Sequence, residues 1–135
     1  MVDTTNSSFP VTLFSFGFKY GPPRDVNLLF DVRFLANPFH VENLRPFTGL
    51  ETCISDFVLE NDSGRECLRH LLQVAGYLAE QFQQNNKKEL RIGIGCTGGH
   101  HRSVAVTEAL AKLLGRDLEG VTHFHRDIEK ESHRE

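Results

Sequence analysis

The stretch Gly95-Cys96-Thr97-Gly98-Gly99-His100-His101-Arg102-Ser103 collects residue types that bind anions. Gly98 and Gly99 let backbone N–H groups approach a ligand with no Cβ in the way. Thr97 and Ser103 supply hydroxyls, His100 or His101 a ring donor, and Arg102 a planar fork that matches phosphate. Placed between a strand and a helix start, where unpaired N–H groups carry partial positive charge, these residues read as a phosphate cradle.

The same letters satisfy C-x5-R-S, a spacing that cysteine-dependent phosphatases use to aim a thiolate at phosphorus. A helix N-terminus and Arg102 would both lower the Cys96 thiol pKa. However, Gly95 stands where such enzymes carry a His, and only Asp31 and Asp127 are candidates for a general acid. Catalysis by Cys96 and Arg102 is therefore an alternative reading, and no catalytic residue is assigned. His123 and His125 would lie on one face of a strand and, with His100 and His101, raise the question of a metal. No carboxylate or second Cys has ligand spacing in the sequence and Arg102 would repel a cation, so neither metal nor cofactor is assigned. The P-loop pattern G-x-x-x-x-G-K-[ST] is absent.

Elements that must position the loop can be read from periodicity. Val11 to Phe16 is rich in β-formers, and Phe14, Phe16, Phe18 and Tyr20 recur at period two before Gly21-Pro22-Pro23. Val26 to Phe34 is a second apolar run, with Asp31 and Arg33 placing charge at its end. Residues 35–53 read as a long structured loop of the kind that lines pockets. Ser63-Gly64-Arg65-Glu66 has the form of a capping box opening a helix to about Gln83. Leu90, Ile92 and Ile94 alternate in a strand leading into the glycine loop, a helix spans Arg102 to Leu114, and Val121 to Arg126 reads as a strand. Residues 90–126 then form a β-loop-α-β unit with parallel strands and a right-handed crossover. Asp127 to Glu135 reads as a fraying helix.

The 135 residues suffice for one domain, expected over 11–130 between a flexible N-terminal segment (1–10) and a charged tail (131–135). Fifteen Lys and Arg against eighteen Asp and Glu give a net charge of −3, which excludes a nucleic-acid binder held by bulk charge alone. No apolar run is long enough to cross a bilayer and the N-terminus lacks a secretory pattern. Three cysteines without a C-x-x-C pair fit a reducing compartment, and a cytoplasmic location is expected.

Several stretches together resemble the C-terminal domain of the RapZ family of RNase adapter and nucleotide-binding proteins. These are Ser15-Phe16-Gly17-Phe18-Lys19-Tyr20-Gly21, Phe30-Asp31-Val32-Arg33-Phe34-Leu35, Asn37-Pro38, Leu44-Arg45-Pro46, Thr48-Gly49-Leu50, Gly95-Cys96-Thr97-Gly98-Gly99, His101-Arg102-Ser103-Val104 and His125-Arg126-Asp127. The fold class expected is α/β, a single three-layer domain with a mainly parallel sheet and a strand, Gly-rich loop and helix forming an anion site. The resemblance implies a sensor of a phosphorylated amino sugar that binds small RNA and self-associates, with a metabolite pocket at Thr97, Gly98, Gly99, His101 and Arg102. Tyr20 matches a second pocket position, and Arg33 and Arg45 are further candidates. The family's P-loop kinase-like domain precedes this one in the bacterial proteins. Met1 stands shortly before the first motif here, so nucleotide binding attributed to that other domain is not expected of this chain.

The expected function is thus non-catalytic binding of a phosphorylated small molecule, a sugar phosphate such as an amino sugar phosphate, with a homo-oligomer as a further expectation and no membrane partner. RNA binding is the second alternative, on a basic face drawn from Lys19, Arg24, Arg33, Arg45, Lys87, Lys88 and Arg91. Asp127, Glu129, Glu131 and Glu135 outnumber Lys130 and Arg134 in the tail and would repel a phosphate backbone.

Overall fold

The computed structural model describes residues 8–130. Four strands, β1 (Val11–Gly17), β2 (Leu28–Asp31), β3 (Leu90–Cys96) and β4 (Val121–His125), form one all-parallel sheet in the order β2-β3-β1-β4. Three helices, α1 (Thr52–Leu59), α2 (Asp62–Gln84) and α3 (Arg102–Leu114), complete the α/β domain. Alternation along the strands divides the sheet between two layers. Val11, Leu13, Leu90, Ile92, Ile94 and Cys96 pack into one core with Ile54, Val58, Ala75, Ala79, Val106 and Leu110 of the helices. Phe14 and Phe16 face the other way and are also buried. Gly93 and Gly95 leave room beside them: a Cβ on Gly93 would stand 3.3 Å from the Phe16 ring and 3.3 Å from Pro23. The segment between β1 and β2 thus covers the face that the helices leave open, and Phe14 stacks on Phe124 with centroids 4.9 Å apart.

The parallel β-loop-α-β unit is present as the sequence predicts, but β1 separates its two strands in the sheet. Chain leaving β1 runs to β2 at one edge, whereas chain leaving β3 runs through α3 to β4 at the other. Gly17 pairs with Cys96 in register, so these diverging connections leave from adjacent strand ends. Ligands of open α/β sheets bind at such a divergence.

Four local expectations need correction. The period-two pattern through Tyr20 does not continue as strand: Phe18–Tyr20 is a 3-10 turn, with Lys19 N donating to Thr97 O at 3.1 Å. β2 is only four residues long and stops at Asp31, whose carboxylate holds Arg33 through both oxygens. The end of the supposed 35–53 loop opens α1, because Ile54 and Val58 bury one side of a turn entered through Thr48 and Glu51. Glu51 Oε1 accepts from Thr48 N at 2.7 Å and from its hydroxyl at 3.0 Å. Finally, α2 is capped by Asn61 instead of Ser63. Its Oδ1 accepts from Gly64 N at 2.8 Å while its amide donates to Phe57 O and Val58 O at the end of α1. One side chain therefore serves both helix ends. After β4, residues 127–130 form a turn, with Lys130 N donating to Asp127 O. The charged tail at 131–135, like residues 1–7, lies outside the described residues. Phe9 packs on the core and Pro10 O accepts from Leu90 N.

The carboxyl ends of β1, β3 and β4 are locked together at one junction. A Cβ on Gly17 would lie 2.5 Å from the Gly98 carbonyl carbon, and Gly99 has φ +80°, a region that favours glycine. Gly17 N donates to the fully buried Asp127 carboxylate at 2.8 Å, which also pairs with Arg126 (2.8 Å) and Lys130 (2.7 Å). Burial pushes the Asp127 pKa up, but Arg126, the Gly17 N–H and Lys130 outweigh it and hold the carboxyl below the ordinary range.

Gly17→Ala should cost about 1–3 kcal/mol, because backbone, not a flexible side chain, opposes the new methyl; chemical denaturation measures it. Asn61→Ala should cost about 1 kcal/mol in the same assay. Since folding lowers the Asp127 pKa, its stabilisation is present above the unfolded value and fades as pH falls toward the folded one. Asp127→Asn should therefore lose about 2 kcal/mol near neutral pH and show a flatter decline of stability below about pH 4.

Candidate functional site

The glycine loop lies where the sequence predicts, between β3 and α3. His101 is the N-cap of α3, and its carbonyl accepts from Ala105 N at 3.0 Å. The segment 45–49 lies against this first turn. Gly49 N donates to His100 O at 2.8 Å, and a Cβ on Gly49 would come within 2.5 Å of both His101 O and Ala105 N. Two chain segments far apart in sequence thus make one wall.

Between them lies a cavity of about 260 Å³, lined by Phe39, Arg45, Pro46, Phe47, Thr48, His100, His101, Ile128 and Lys130. Among the described residues no carboxylate lines it. Arg45 is fixed by donating Nε to Phe39 O at 2.8 Å with its guanidinium 4.7 Å from the Phe39 ring centroid. Lys130 lies over Tyr20, its Nζ 4.7 Å from the ring centroid, so Tyr20 packs against a wall residue without lining the cavity itself. Two larger cavities have the opposite chemistry. One of about 700 Å³ carries Glu80 and Asp117 and, among the described residues, no Lys or Arg, and one of about 580 Å³ carries Asp31, Asp62 and Glu66.

Arg102 serves the loop partly as a clasp. Only 4% exposed, it donates Nη1 to Arg33 O at 2.6 Å and to Leu35 O at 3.4 Å, which ties the chain after β2 to the start of α3. Its Nη2 lies 3.5 Å from Thr97 Oγ1, and its buried Nε meets no hydrogen-bond partner among the described residues. Arg33 itself is engaged by Asp31 and sits over the Phe18 ring at 3.9 Å. The bidentate pair with Arg33 is the main cause that lowers the Asp31 pKa. Cys96 and Ser103 face inward. Both are fully buried, and Cys96 Sγ donates to Ser103 Oγ at 3.1 Å, so they support the loop from beneath.

The four histidines do not converge on one point but separate into two pairs. His100 bonds Lys130 O and His101 bonds Arg45 O, whereas His123 and His125 reach Glu108 on α3. The basic residues proposed as one face are also divided. Lys19, Arg33 and Arg45 lie by the carboxyl ends of the strands, while Arg24, Lys87, Lys88 and Arg91 line a cavity by the start of β3. Lys130 and Arg126 are the residues beside the site that residue-type reasoning did not propose, and the His125-Arg126-Asp127 run at the end of β4 was the only signal for Arg126. Asp127, read from the sequence as a candidate general acid, is instead a buried carboxylate held by Gly17 N, Arg126 and Lys130.

Comparison with known proteins agrees with this architecture. The sequence pattern of the RapZ C-terminal domain matches residues 9–129. A nucleotide-binding protein of Brevibacillus brevis is 47% identical over 124 residues, which cover 92% of this chain and 42% of that protein. One from Geobacillus thermodenitrificans is 46% identical over 130 residues, covering 95% and 43%. One from Corynebacterium efficiens is 47% identical over 122 residues, covering 89% and 38%. The chain spans less than half the length of these relatives. With an all-parallel α/β sheet, the glycine loop at its divergence point and a match over nearly its whole length, the chain belongs to the RapZ C-terminal domain family.

Proposed function

We propose that this domain is a non-catalytic sensor that holds the phosphate group of a small metabolite, with an amino sugar phosphate as the preferred class. The observation that supports this reading is the cavity at the carboxyl edge, whose lining among the described residues includes Arg45, Lys130 and two histidines and no carboxylate. Thr97 Oγ1 and Arg102 Nη2 lie close enough for one phosphate oxygen to accept from both. Gly98 and Gly99 are occupied by the approach of Gly17 and fix the turn, and the first turn of α3 adds its partial positive charge. Thr48, His100 and His101 provide polar contacts for hydroxyl or amino groups of the sugar. The relatives are named nucleotide-binding proteins, which is consistent with a phosphorylated ligand somewhere in their longer chains.

Thiolate catalysis is the weaker reading on physical grounds. Cys96 has no exposed surface and belongs to the hydrophobic core, so a phosphorus atom has no route to its sulfur.

Calorimetric titration of glucosamine 6-phosphate should show one binding event per chain, with inorganic phosphate weaker and glucosamine silent. Arg45→Ala and Thr97→Val should each weaken it at least tenfold, the effect of one lost charge-assisted contact. Equal heats from wild type and both variants would remove the proposal. A thiol reagent at neutral pH should modify only Cys53 rapidly, since Cys67 and Cys96 are buried and burial also pushes the Cys67 thiol up. Rapid modification of Cys96 would reopen the catalytic reading.

A further inference from the structure

Further along α3 from the glycine loop, Glu108 meets His123 and His125 of β4. Glu108 Oε2 lies 2.9 Å from His123 Nε2 and 2.7 Å from His125 Nε2. One ligand atom from each residue lies within 4.8 Å of the others. The geometry points to a divalent transition-metal site, with zinc as the fitting ion, built from Glu108, His123 and His125.

Alternation in β4 places both imidazoles on one side of the strand, and the register of α3 brings the carboxylate between them. Three donors on a tetrahedral zinc, at about 2.0–2.1 Å from the ion, stand roughly 3.3 Å apart. The two present separations need to open by about half an ångström, within the reach of side-chain rotation. Two imidazoles and one carboxylate are a donor set that suits zinc and leaves one position open. That position has access from outside. Glu108 and His123 also line a cavity of about 460 Å³ beside Gly49, Leu50, Ser55 and Lys112.

A second contact prepares His125 for this role. Its Nδ1 is 2.7 Å from Ser15 Oγ, a fully buried hydroxyl in the middle of the sheet. Without an ion, Nε2–H donates to Glu108; a bound metal replaces that proton, and Nδ1–H donating to the serine oxygen then leaves the Nε2 lone pair for the ion, the arrangement typical of metal-bound histidine. The series Ser15, His125, Glu108 resembles a hydrolytic triad only in its order, because the serine is sealed in the core and reaches no substrate. Arg126 does not oppose a cation here, as it points across to Gly21 O and Asp127. Arg102 lies six residues before Glu108, roughly 9 Å along the helix axis.

Zinc chloride titrated into the chelator-stripped full chain, in competition with a chromophoric chelator, tests the site. One equivalent should bind per chain, and Glu108→Gln and His123→Ala should each weaken binding at least tenfold. His70→Ala and Cys53→Ser should leave it unchanged. Cobalt loading should give visible bands of a four-coordinate nitrogen and oxygen site in wild type, absent from His123→Ala. Circular dichroism establishes that each variant is folded, and Glu108→Gln decides the matter if the His123 variant is not. Absence of stoichiometric zinc, its survival in both Glu108→Gln and His123→Ala, or its loss in Cys53→Ser would overturn the site and leave an ordinary histidine–glutamate ion pair.

Discussion

Everything at the carboxyl edge depends on the contact between Gly17 and the Gly98-Gly99 turn. Two adjacent parallel strands send their chains in opposite directions, and only residues without side chains let those chains cross so closely. Asp127 then seals the junction from the third strand by accepting the Gly17 N–H. Three connections that would otherwise be independent loops become one rigid surface. Because the carboxylate that seals it is fully buried and paired, its charge is neutralised locally and does not reach the cavity as a free negative group.

The consequence is a division of labour among the basic residues. Arg126 is engaged by Asp127 and by the turn carbonyl of Gly21, and Arg33 by Asp31. Arg102 joins the β2 end to the glycine loop through main-chain carbonyls, which fixes the loop without consuming a carboxylate. Arg45, anchored through its Nε to a carbonyl, retains its remaining donors beside the cavity. A net charge of −3 is therefore compatible with an anion site, since Arg45 and Lys130 line the cavity while the nearby carboxylates are engaged, Asp31 by Arg33, Glu51 by Thr48 and Asp127 by Arg126 and Lys130.

The central unit was legible in the sequence because its physics is local. Alternation gives β1 and β3, the glycines mark the loop, and apolar spacing gives α3. What local pattern cannot supply is which strand lies between β3 and β4, so the approach of β1 to the glycine turn was invisible. Helix α1 escaped notice for a related reason: eight residues rich in Ile, Val and Phe carry little helical preference and become helical by burying Ile54 and Val58. The site was legible as residue types, but not their duties. Cys96 and Ser103 read as chemistry and serve as packing, whereas Lys130 reads as tail and lines the cavity. Glu108 has no meaningful spacing to His123 and His125 until a helix and strand lie side by side.

The central claim is that the cavity between the 45–48 segment and the glycine turn is where a phosphorylated ligand sits. Amide chemical-shift mapping during titration with an amino sugar phosphate tests it directly. Shifts concentrated at residues 45–49, 97–102 and 128–130 are the predicted result. Shifts centred on the acidic cavity beside Glu80 and Asp117, or none at saturating ligand, would contradict the account.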